Sequence, residues 1–140
     1  MLFGLILLPD FYDTDYGESG GTAIHPAKWD VMASGSYNNN SKTPPYLSMT
    51  EREILSWGMD STLTLDTTVI LYPLSDSNFA YSISLSDSEY VMLENRTHKR
   101  WDAYTPTKGM IVFHGNINRI ANWQSEGNAI NVNPNDRGYY

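Results

Sequence analysis

The chain has no cysteine, and no lysine or arginine precedes Lys28. The first absence excludes disulfide staples and thiolate chemistry and leaves the compartment open. The second, with a net charge of -7, argues against nucleic acid and anionic membrane as partners, because both are bound through clustered cations. Long apolar runs are also lacking. The longest, residues 1–8, has no basic flank and no small-residue cleavage site, and falls far short of the roughly 20 residues that span a bilayer. It reads as a buried segment, not as a signal peptide or an anchor. Internal repeats are absent as well.

What remains describes a globular protein: 140 residues, 41% hydrophobic and 18% charged, enough for one domain with a real core. Residues 10–47 are rich in Gly, Asn, Ser, Pro and Asp and read as long functional loop. Ser48 then opens a helix, because Ser48 and Glu51 have capping-box spacing. Met49, Ile54, Leu55 and Trp57 form its expected buried side, and Gly58 its stop. Beyond Asp60, residues 62–65, 68–72, 79–85, 89–94 and 109–114 are β-branched or aromatic runs parted by turn residues. Phe79, Tyr81, Ile83 and Leu85 alternate with Ala80, Ser82 and Ser84, as in a strand with one buried face. A further strand is expected over 129–132, and Gly138-Tyr139-Tyr140 reads as the start of another. The class is α+β: a loop-and-helix part (1–60), then an antiparallel β region (61–140).

Several segments carry a resemblance: LPDFYDTDYG, WDVMASGSYNN, MTEREILSWG, EYVMLENRTHKRWD and GMIVFHGN, in that order. They resemble the immune-inhibitor-A-like secreted zinc metallopeptidases. There the W-D-x-M-x-x-G-S run forms the methionine turn, and LPDFYDTDYG resembles the end of the zinc motif H-E-x-x-H-x-x-G-x-x-D. The resemblance implies a metzincin-like catalytic remnant followed by the start of a β region. It gives Asp10 the role of third zinc ligand and Met32 that of the methionine turn. It also implies a secreted or cell-surface location and a protein or peptide partner.

The same resemblance withholds the catalytic core. Two histidines four apart bind zinc on one helical face, and the intervening glutamate polarises the bound water. Counting back from Asp10 puts Gly4 at the second histidine, Met1 at the glutamate and Leu7 at the turn glycine. A one-residue deletion puts Leu5 at the second histidine and leaves Met1 and Leu2 for the rest. Neither register supplies a catalytic group, and one carboxylate does not hold zinc. The expectation is a truncated or degenerate family member that cleaves no peptide bond. The rival readings are a protein- or glycan-binding module and a calcium-stabilised structural domain.

Other candidates are weighed on their residues. Asp10, Asp13, Asp15 and Glu18 form an acidic loop whose oxygen ligands and D-x-D spacing suit calcium. It lacks the EF-hand run, and loop aspartates also cap turns locally. His25 lies before the methionine turn, near a metal in the family fold; the plainer reading is a backbone hydrogen bond. His98 sits in an exposed turn, and His114 ends a strand in a structural role. Trp29, Trp57 and Trp101 are expected in the core. Asn39-Asn40-Ser41 and Asn95-Arg96-Thr97 are glycosylation sequons in form only. Residues 1–8 are expected either against the methionine-turn loops or at a homo-oligomer contact.

Overall fold

A computed structural model describes residues 8–140. The expectations for the apolar segment, including its oligomer contact, therefore lie outside the described residues except at Leu8, which is buried. The fold is α+β. Short 3-10 turns at Ala27–Trp29 and Gly35–Tyr37 and one helical turn, α1 (Asn38–Ser41), punctuate the first loop region. Helix α2 (Met49–Ile54), a four-stranded sheet and helix α3 (Ile117–Ala121) follow. None of the described helices is long and apolar enough to cross a membrane.

Helix α2 starts as the sequence dictates. The Glu51 amide donates to Ser48 Oγ at 3.2 Å, and the Ser48 amide donates to Glu51 Oε2 at 2.6 Å. The stop is different. Ser56, with φ 59°, takes the left-handed conformation, whereas Gly58 is needed for space: a Cβ there would sit 2.6 Å from Met49 Sδ. Met49 is buried, but Trp57 is 55% exposed, because the helix ends before it.

The sheet order is β1 (Met59–Thr62), β2 (Phe79–Ser84), β3 (Glu89–Arg96) and β4 (Gly109–Asn116). It is mixed, not antiparallel throughout, since β1 and β2 are parallel. Parallel neighbours need a long return connection, and residues 63–78 supply it. That connection absorbs two expected strands. Residues 63–65 lie beyond β1, and 68–72 run as exposed loop: strand propensity reports fitness for a half-buried pleat, and here most of the segment faces water. Near its end, Leu74 and Pro73 meet β3 at Asn95.

The alternation in β2 is also inverted. Ala80 and Ser82 face the core, while Phe79, Tyr81 and Ile83 lie on the other face and Leu85 is exposed. Met92 of β3 and Phe113 of β4 already fill the core side of this sheet, so only small residues fit beside them. Residues 129–132 form no strand. Buried Asn131 replaces ladder bonds with side-chain ones, donating to the Phe11 and Tyr139 carbonyls and accepting from the Gly138 and Tyr139 amides. Gly138–Tyr140 does pair with β4: the His114 amide donates to the Tyr140 carbonyl at 2.8 Å, and the His114 carbonyl accepts the Tyr140 amide at 3.0 Å.

Residues on both sides of Asp60 share one core, in which Leu8, Phe11, Met32 and Met49 meet Met92, Phe113 and Tyr139. The Tyr139 ring lies 4.4 Å from that of Phe11 and 5.2 Å from that of Phe113. Trp29 packs at the edge of this core, whereas Trp101, 51% exposed, does not belong to it. A polar knot runs through the same interior. Arg96, fully buried, contacts Glu94 at 2.8 Å and Asp102 at 3.1 Å and donates to the Tyr46 carbonyl. Removing that guanidinium would leave two buried carboxylates without the counter-charge that contacts them.

Candidate functional site

The turn at Asp30–Gly35 is built by its own side chains. Asp30 is completely buried, and its Oδ1 accepts the Met32 amide at 2.8 Å. The chain returns so tightly that a Cβ on Gly35 would lie 2.4 Å from the Asp30 carbonyl oxygen. This geometry holds Met32 in place, 4% exposed. Burial pushes the Asp30 carboxyl up to about 7, and raises that of Glu51, its buried neighbour, well above the usual carboxylate range. Each carboxyl keeps one buried oxygen without a hydrogen-bond partner. The two carboxyls are within hydrogen-bonding reach of each other, a contact that is satisfied when one of them keeps its proton.

Met32 also lines an open cleft of about 730 Å³. Asp10, Tyr12, His25, Met32, Tyr37 and Trp123 are among its walls. Asp10 is held by Asn128, which bonds both its backbone amide (2.8 Å) and its carboxylate (2.7 Å). Burial raises the Asp10 carboxyl, and the Asn128 hydrogen bond works against that rise. His25 accepts the Ala27 amide through Nδ1 at 3.1 Å, and partial burial lowers its pKa.

The remaining acidic side chains serve their own loop. Asp13 accepts the amides of Asp15 and Ala23. Asp15 accepts those of Gly17 and Ser19, and its pKa is lowered, chiefly by hydrogen bonding to Ser19. Glu18 is exposed. Asp10, Asp13, His25 and Met32 therefore share the cleft, while Asp15 and Glu18 do not line it. His98 is exposed. His114 lies on the sheet, its Nε2 3.8 Å from Glu89 and its ring 4.8 Å from that of Tyr140.

Among the described residues no three His, Cys, Asp or Glu side chains form a group able to hold a metal ion. Zinc takes three or four protein ligands, and calcium six to eight oxygens. Asp10 is engaged by Asn128, and Asp13 and Asp15 by backbone amides. The positions matching the family's two histidines and glutamate lie outside the described residues.

Asn128 and Trp123, like Tyr12 and Tyr37, are cleft residues that the sequence did not single out. Gly127-Asn128 carries a turn signal, and Asn128 does adopt the left-handed conformation at φ 64°. Nothing in that dipeptide announces a partner 118 residues away. No family model matches the chain, and neither a curated protein nor a solved structure matches it.

Proposed function

We propose that this chain is a metallopeptidase-like domain of the immune-inhibitor-A-like kind that binds protein or peptide without cleaving it. The observation that supports this reading is the common cleft. Asp10 and Met32, the residues matched to the third zinc ligand and the methionine turn, line one open cavity with Tyr12, Tyr37 and Trp123. Its mixed walls, aromatic rings beside a carboxylate, an imidazole and an amide, suit a peptide's alternating apolar and polar groups. Hydrolysis in the family needs a zinc-activated water, and the sequence offers no histidine pair or glutamate at the matching positions.

The test has two arms. Casein with excess zinc, with and without chelator, is expected to remain intact; chelator-sensitive cleavage by pure protein would refute the non-hydrolytic reading. Peptides from a casein digest, titrated while tryptophan emission is followed, are expected to bind saturably. Tyr37→Ala, at a 70% exposed position, is expected to weaken that binding without unfolding the chain. Absence of saturable binding would refute the peptide reading. The exposed rings of Tyr16 and Tyr37 beside the cleft also suit stacking on sugar, so oligosaccharides in the same titration test a glycan ligand.

A further inference from the structure

We infer that the sheet face opposite the core is a self-association surface, on which a second copy of this chain packs sheet against sheet. The register defines the face. Phe79 stands beside Met59, Tyr81 beside Leu93 and Val112, and Ile83 beside Val91 and His114, with Met110 paired to Asn95 at the far end. These eight apolar side chains form rows across four strands, and among the described residues none belongs to the buried core cluster or packs against it. Met59, Met110 and Val112 are each at least half exposed. The inversion in β2 is the cause: by turning Ala80 and Ser82 inward, the fold sets Phe79, Tyr81 and Ile83 on the outside.

Charge selects the occupant. The whole chain carries -7, so most contacts between two copies set like charges together. This face escapes that cost at its centre, because none of the eight apolar residues carries a charge; Glu89 and His114 lie 3.8 Å apart at one end, where the Tyr140 ring packs on His114 and Arg137 sits over that ring. An anionic membrane would instead meet a strongly acidic protein. A basic partner would need carboxylates that the centre of the face lacks.

Size sets the strength. Strands β3 and β4 at about 3.3 Å per residue, in a sheet of strands about 4.8 Å apart, give a face on the order of 500 Å². A standard stable interface takes about 800 Å² from each partner. The contact is therefore reversible and weak, with the two sheets about 10 Å apart and their strands crossing at about 30°. A two-fold contact presents every substitution twice.

Sedimentation equilibrium over a concentration series is expected to show a monomer–dimer equilibrium in the micromolar range. Val112→Glu sets two carboxylates into the contact and is expected to raise Kd by at least roughly tenfold, with circular dichroism confirming the fold. The lack of native cysteine permits a second test that does not depend on that variant folding. Val112→Cys is expected to cross-link under mild oxidation much faster than Tyr16→Cys, placed on the acidic loop. The inference is overturned if the native chain stays monomeric at hundreds of micromolar, or if the two cysteine variants cross-link equally. It is likewise overturned if the native chain binds neutral lipid vesicles through this face while remaining monomeric in solution. None of these outcomes depends on what the cleft binds.

Discussion

Replacing Glu51 by Gln is expected to flatten the pH dependence of stability. In the folded chain Asp30 and Glu51 are both fully buried, and burial raises both carboxyls. Arg96, the cation that acts on them, is already held by Glu94 and Asp102. A folded-state pKa above the unfolded one means that the folded chain holds the proton more tightly. The resulting stability is fully present below the unfolded value of 3.8 and is lost as pH rises through about 7. Moving the Asp30 carboxyl from 3.8 to about 7, at 1.36 kcal/mol per pH unit, corresponds to about 4 kcal/mol lost between acid and alkaline solution. Most of that loss falls between pH 5 and 8. In Glu51→Gln the amide oxygen can still accept the Ser48 amide, and its NH₂ can donate to the Asp30 carboxylate. Asp30 then ionises at lower pH. Urea unfolding at pH 5, 6, 7 and 8 gives the free energies by linear extrapolation. The native chain is expected to lose stability across that range, and the variant to lose clearly less. A native profile that is flat or rises from pH 5 to 8, or an equally steep profile in the variant, would refute the shared-proton description.

Two further substitutions test the interior. Met32→Ala empties a packed site and is expected to cost about 2–5 kcal/mol in the same unfolding assay; a change near zero would mean that the turn contributes no core. Arg96→Leu strands Glu94 and Asp102 and is expected to cost about 3–5 kcal/mol at neutral pH. A change below about 1 kcal/mol in the same unfolding assay would refute the reading of Arg96 as their counter-charge.

Local chemistry was legible in the sequence, and long-range placement was not. The α+β class, the capped start of α2 at Ser48, the strands over 79–85, 89–94 and 109–114, and the pairing of the chain end could be read from spacing and residue type. Each depends on neighbours within a few residues or on a simple periodicity. Residues 68–72 have the composition of a strand, yet whether they pair depends on a partner that only the assembled sheet offers or withholds. Alternation in β2 announced two faces but not which one turns inward, since that follows from the volume that Met92 and Phe113 already occupy. Trp57 and Trp101 illustrate the same limit: a large ring is apolar wherever it lies, and packing decides whether it is covered.

For the candidate site, the sequence by itself determined the donor types, the acidic loop and the turn around Met32. The tertiary structure alone decided that Asp10 answers to Asn128, 118 residues away, and that Asp13 and Asp15 bind their own backbone amides. It also decided that Asp30 and Glu51 are buried together. A carboxylate's chemistry is set by the dielectric and the donors around it, and the packed chain fixes both.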